Sequence, residues 1–120
     1  MIRGIRGATT VSENKAEDIH QATKHLLIDV AEKNDILPED IVSVLISVTP
    51  DLTAAFPAKG MRLIDGWTYV PVMCTTEIPV PNALEKCIRV MVTAQTDLKQ
   101  KDVTHIYHRE AKQLRPDLVK

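Results

Sequence analysis

Aromatic side chains are scarce in this chain of 120 residues: Phe56, Trp67, Tyr69 and Tyr107 are all it has. Its core must therefore be aliphatic, and a site that stacks nucleic-acid bases on rings is disfavoured. A surplus of charge is missing too. Fifteen Lys and Arg stand against sixteen Asp and Glu, a formal net charge of −1, whereas nucleic-acid and anionic-membrane surfaces need a large cationic excess. No apolar run reaches the length of a bilayer span, and the N-terminal Met-Ile-Arg-Gly-Ile-Arg has no apolar leader core. Cys74 and Cys87 are the only cysteines and form no CxxC pair, so free thiols in a reducing compartment, the cytoplasm, are expected. A Gly-rich phosphate loop, a nucleophile elbow and a dinucleotide fingerprint are all absent.

What remains is the composition of one ordinary globular domain over residues 1–120, with 44% hydrophobic and 26% charged residues. A chain of this length buries enough surface to form a core without metals or disulfides. The segment from Ile2 to Val11 ends in β-branched residues and suits a strand. From Asn14 the period changes: Ala16, Ile19, Ala22, Leu26, Leu27, Val30 and Ala31 recur at spacings of three and four, the stripe of an amphipathic helix. Asn14 with Glu17 three residues on predicts its N-cap, and Asn34-Asp35 before Pro38 predicts its end.

Residues Ile41 to Val48 are almost continuously apolar, which predicts a strand covered on both faces. Pro57 suits the start of a short helix and Gly66 its end, with Gly60 inside it at a cost of about 1 kcal/mol relative to Ala. Trp67 to Val72 reads as a strand that Pro71 confines to an edge or forces to bulge, and Asn82 to Lys86 as a helical turn. Ile88, Val90, Val92 and Ala94 alternate with Arg89, Met91, Thr93 and Gln95, a strand with two unlike faces and Arg89 on the non-aliphatic one. Thr104 to Tyr107 is a last short strand. Interleaved strands and helices make the fold a mixed α/β domain.

Metal chemistry finds little support. His20 and His25 are five apart on the helix and fall on different faces, and His105 and His108 fall on opposite faces of a strand. All four read as surface or packing histidines. Cys74 has no histidine close in sequence and reads as a half-buried hydrophobe more readily than as a nucleophile. The arginines are more informative. Arg6 and Arg89 lie within apolar strands, where an unpaired charge is costly, so they need a partner from outside or from another subunit. Guanidinium groups held on rigid strands suggest an anion site. Lys59 and Arg62 would form a second basic patch beside Phe56, and Arg115 adds a cation near the C-terminus.

Eight collinear blocks carry a resemblance. They are Ile2-Arg3-Gly4-Ile5-Arg6-Gly7-Ala8-Thr9-Thr10-Val11, Thr49-Pro50-Asp51-Leu52, Phe56-Pro57-Ala58-Lys59, Gly66-Trp67, Tyr69-Val70-Pro71-Val72, Lys86-Cys87-Ile88-Arg89-Val90-Met91, Gln95-Thr96-Asp97 and Leu114-Arg115-Pro116-Asp117-Leu118. Together, over nearly the whole chain, the sequence resembles the small monofunctional bacterial chorismate mutases of the trimeric α/β type. The resemblance implies an α+β domain in which a mixed five-stranded sheet is packed by one long helix and short helices. It also implies a pseudo-α/β-barrel homotrimer with active sites between subunits.

The implied reaction is the pericyclic Claisen rearrangement of chorismate to prephenate in phenylalanine and tyrosine biosynthesis, without cofactor, metal or covalent intermediate. Such a reaction needs a pocket that selects one conformer of a dianion and stabilises charge across a breaking ether bond. By resemblance Arg89 is the central catalytic cation, and Arg6 with the Tyr107 hydroxyl clamps the enolpyruvyl carboxylate. Glu77 accepts from the ring hydroxyl, and Cys74 hydrogen-bonds in the pocket with Met73 beside it. Phe56, Ala58 and Leu114 form walls, and Lys59, Arg62 and Arg115 are outer cations. Gly60 and Met73 depart from expectation, and the few residues after Leu118 leave little for a closing tail. The alternative is a non-catalytic trimeric module that binds a carboxylate or amino acid and has no use for Glu77. A trimeric imino-acid deaminase is the third possibility, and the collinear blocks do not resemble it.

Overall fold

The computed structural model describes residues 1–118; Val119 and Lys120, on which the expectation about a closing tail falls, lie outside the described residues. Five strands, β1 (Ile2–Thr10), β2 (Ile41–Val48), β3 (Val72–Thr76), β4 (Cys87–Gln95) and β5 (Ile106–Tyr107), form one sheet in the order β3-β2-β4-β1-β5. β4 runs antiparallel to both neighbours, whereas β2–β3 and β1–β5 are parallel. Two helices, α1 (Ala16–Lys33) and α2 (Ala58–Arg62), accompany short 3-10 turns. This is the mixed five-stranded, single-long-helix architecture expected.

Because strand side chains alternate, the sheet has an inner and an outer face. Ile5, Val44, Ile46, Ile88, Val90, Val92 and Ala94 point inward and join Ile19, Leu26, Leu27 and Val30 of α1 in an aliphatic core. Trp67 is the one aromatic residue in that core. The outer face carries two cross-strand rows. Register aligns Thr75, Ser47, Arg89, Ala8 and Tyr107 in one, and Met73, Leu45, Met91 and Arg6 in the next.

Several local expectations are corrected. α1 starts at Ala16, and no side chain caps it. Asn14 instead accepts the backbone N–H groups of Thr53 and Ala54 at 3.0 Å each and donates to the Thr53 hydroxyl, tying the chain before α1 to the loop after β2. β2 is covered on one face only: Val44 and Ile46 are buried, while Val42 and Leu45 are exposed. Its apolar run therefore faces solvent on the outer side of the single chain. Trp67 to Val70 is a turn closed by the Val70 N–H on the Trp67 carbonyl, and the edge strand begins only after Pro71. Residues 82–86 are not helical; Asn82 and Lys86 sit at φ 65° and 49°, in the left-handed region. β5 is shorter than the predicted 104–107 because Asn34 occupies both backbone groups of Thr104, donating to its carbonyl and accepting its N–H. The same Asn34 ends α1, as expected, with Asp35 following at φ 54°.

α2 starts just after Pro57, as expected, and packs on α1. The glycine that looked out of place explains the contact. A Cβ at Gly60 would overlap the His20 backbone carbonyl and come within 3.0 Å of the Thr23 Cβ, so only glycine lets the two helices approach this closely.

Candidate active site

Arg89 is placed by the period-two pattern of β4, which buries Ile88 and Val90 and turns the residue between them outward. Ser47 lies directly opposite it on β2, and Ala8 on β1. Ala8 leaves room where a larger side chain would stand between Arg89 and Tyr107. Glu77 follows the last residue of β3 and is held by its N–H on the Val48 carbonyl at 2.8 Å. These residues, with Arg6, Leu45, Thr75, Thr76 and Met91, line an open cleft of about 290 Å³ on the outer face.

Within the cleft Arg89 Nη1 lies 3.1 Å from Glu77 Oε2, and the Ser47 hydroxyl donates to the same oxygen at 2.8 Å. Glu77 Oε1 takes only a 3.3 Å hydrogen bond from the Ile78 N–H. Partial burial pushes the Glu77 carboxyl up, but the Ser47 hydrogen bond, the Arg89 charge and the Ile78 N–H together outweigh it, and the group is held below the ordinary glutamate value. The expectation that Arg89 lacks a partner in its own chain is therefore corrected. Glu77 supplies one, and Lys86 faces Glu85. The Arg6 guanidinium forms no ion pair among the described residues; its backbone N–H donates to His105 Nδ1 at 2.9 Å. Arg115 is bound to Asp117 at 2.9 and 3.1 Å, and beyond this pairing Tyr107 acts weakly on Arg115 and Arg6 on Asp117. The C-terminal segment thus stands close to the cleft.

Cys74 is not in this cleft. Its neighbours Met73 and Thr75 point outward, so Cys74 faces inward and packs against the core edge. It lines a second recess with His20, Phe56, Ala58, Lys59 and Arg62. Phe56 is 78% exposed there. The predicted site residues thus divide into two groups on opposite sides of the β2–β3 edge. Met73 lies on the outer face, 72% exposed, and does not line the cleft, and neither does Leu114, whose N–H closes a 3-10 turn on the Ala111 carbonyl.

The buried thiol is Cys87, raised to about 11 mainly by burial; both cysteines are free. The histidines serve packing and hydrogen bonding: His20 is buried, and His108 Nε2 lies 2.7 Å from Asp29 Oδ2. Among the described residues no cluster of His, Cys, Asp or Glu has the makings of a metal site, and no helix is long and apolar enough to cross a membrane. Ser47 was not singled out from the sequence. In a run of apolar residues it reads as filler, and only the register with Arg89 gives it meaning.

The chain and its fold have known counterparts. Residues 2–118 match the family described as chorismate mutase type I. The chain is 54% identical to the chorismate mutase AroH of Bacillus subtilis, covering 98% of this chain and 93% of that one. It is 50% identical to the AroH of Thermus thermophilus, covering 98% and 97%. A solved structure of a chorismate mutase from Clostridium thermocellum superposes with a TM-score of 0.88 at 51% identity, over 91% of this chain and 96% of that one.

Proposed function

Because the chain belongs to the type I chorismate mutase family and is an isomerase of aromatic amino-acid biosynthesis, we propose that it rearranges chorismate in the outer-face cleft of Arg6, Glu77, Arg89 and Tyr107. The observation that carries this reading is the meeting of Arg89 and Glu77 at 3.1 Å on the cleft floor, with Arg6 and Tyr107 beside them. In the Claisen rearrangement one ether C–O bond breaks as one C–C bond forms, within a single molecule, and nothing is passed to the protein. The cleft needs only to hold the reactive conformer and meet the charge that separates.

Arg89 stands where its fork can hold the ether oxygen and a substrate carboxylate together, which a lysine cannot do. Arg6 and the Tyr107 hydroxyl hold the enolpyruvyl carboxylate. Glu77 accepts from the ring hydroxyl and sets negative charge opposite the positive character growing on the ring. A module that only bound carboxylates would have no use for that carboxylate.

The other predicted residues complete the site from a neighbouring subunit. Cys74, Phe56, Ala58, Lys59 and Arg62 surround a separate recess, so one chain cannot bring them onto the substrate held by Arg89. A cyclic homotrimer supplies them from the next copy. Exposed Leu45, Met73 and Met91 on the outer face and exposed Phe56 at the recess give that contact its apolar surface. Met73 and Leu114 then form walls at the rim, and Lys59, Arg62 and Arg115 draw in the dianion. The free thiols suit the cytoplasm.

The test follows chorismate loss and prephenate formation with the parent, Arg89→Ala, and a Lys59→Ala/Arg62→Ala double variant, each alone and then mixed after unfolding and co-refolding. Each variant alone should be impaired, and the Arg89→Ala and Lys59→Ala/Arg62→Ala mixture should regain activity because mixed trimers contain intact sites. A mixture no better than the mean of its components would refute sites shared between subunits, and a near-parental Arg89→Ala would refute the cleft.

A further inference from the structure

We propose that Ser47 is a positioning residue for the rearrangement: its hydroxyl fixes the Glu77 carboxylate so that Oε2 is spent on the protein and Oε1 is turned to the substrate. The proposal rests on the reading of the cleft given above. Three observations carry it. Ser47 and Arg89 are register partners on adjacent strands, so their side chains rise from the same face at the same level. Both donate to one oxygen of Glu77, at 2.8 and 3.1 Å. The other oxygen receives only the longer 3.3 Å bond from Ile78, whose N–H belongs to the next residue of the same loop.

The need for such a residue follows from the chemistry. Half of the Arg89 side-chain surface is exposed, and an exposed ion pair holds its partners weakly. A substrate carboxylate and the ether oxygen therefore draw Arg89 away from Glu77 when the dianion enters. Glu77 stands outside the regular strands, on the loop leaving β3, and without a second donor its carboxylate would swing after the departing guanidinium. Ser47, fixed on β2 between buried Ile46 and the half-buried Val48, does not move with the substrate. It keeps Oε2 in place while Arg89 changes partner, and this leaves the Oε1 lone pairs aimed into the cleft. A hydrogen bond to the charged form also keeps the carboxylate ionised.

The experiment compares Ser47→Ala and Ser47→Thr with the parent, each in the parental and in the Glu77→Ala background, measuring kcat and KM across pH on the assembled enzyme. Ser47→Ala should lower kcat about ten-fold, the effect of losing one hydrogen bond to a charged group, with KM changed far less. The acid limb of its pH profile should move to higher pH, because the carboxylate loses a donor that favours its charged form. Ser47→Thr keeps the hydroxyl and should restore both. In the Glu77→Ala background, Ser47→Ala should cost nothing further. An equal loss in both backgrounds, or an acid limb that does not move, would overturn the role assigned to Ser47 while leaving the cleft intact. A Glu77→Ala enzyme as fast as the parent would overturn both.

Discussion

Arg89 stands on β4 and Glu77 on the loop that leaves β3, twelve residues apart in sequence, yet their side chains meet at 3.1 Å on the one sheet face that the core does not use. Under the proposed function this ion pair is the state that an entering substrate meets. Its exposed position means that it contributes little to stability, so its partners are free to serve the reaction.

From this, Arg89→Lys is expected to fold like the parent and to fail in turnover. A lysine ammonium keeps the charge but cannot hold an ether oxygen and a carboxylate in one fork. The loss in kcat should reach about a thousand-fold or more, with the melting temperature within about 2 °C of the parent. Paired kinetic and thermal measurements on the purified variant decide it; a rate within ten-fold of the parent would contradict the role.

Glu77 carries a pH prediction. Burial alone would raise its pKa, but Ser47 and Arg89 hold it below the ordinary value of 4.5. Under the proposed function the ionised form is the active one, so kcat/KM should stay level as pH falls to that value and drop only below it. Glu77→Gln, which keeps a hydrogen-bonding group, should be impaired less than Glu77→Ala, and the acid limb should vanish in both. A limb that persisted in Glu77→Gln would belong to another group.

Gly60→Ala should destabilise the protein even though alanine is the better helix former by about 1 kcal/mol. The added Cβ would overlap the His20 carbonyl, a backbone atom that cannot move aside without shifting α1. Overpacking of this kind costs roughly 1–3 kcal/mol, which lowers the melting temperature of a domain this size by about 5–15 °C. Calorimetry would show it, and an unchanged or raised melting temperature would mean that the helices separate without penalty.

Asp51 secures the start of β4. Its carboxylate accepts the Lys86 N–H at 2.8 Å just where that residue adopts φ 49°. Burial raises its pKa, but hydrogen bonds from Thr49 and the backbone prevail and hold it below the ordinary 3.8. A carboxyl with a depressed folded pKa adds stability that is present above its unfolded pKa and is lost as pH falls through the folded one. Asp51→Asn should therefore lower stability at neutral pH, narrow the gap to the parent as pH falls below about 3.8, and speed amide exchange at Lys86. A variant with parental exchange at Lys86 would show that the loop holds itself.

The amphipathic stripe of α1 and the alternation of β4 were legible because each is a local periodicity that burial reads directly: Ile19, Leu26 and Val30 share one helix face, and Arg89 had to point away from Ile88 and Val90. Asn14 misled because a capping residue is judged by sequence neighbours, whereas its side chain is used by Thr53 and Ala54 across a turn. The apolar run of β2 misled for a similar reason. Hydrophobicity says that a face is to be covered, and it does not say by which chain.

The sequence by itself determined β1, β2, β4 and α1, the aliphatic core, and the family to which the residues conform, since these depend on side-chain type and short-range spacing; the strand β3 that leads to Glu77 it misplaced. Only the tertiary structure decided that Glu77 turns to Arg89 and Ser47, that Gly60 is a contact point between helices, and that Cys74 and Arg89 lie on opposite sides of the sheet edge. Each of those is set by strand register or by the approach of two backbones, and both depend on residues far apart in the chain.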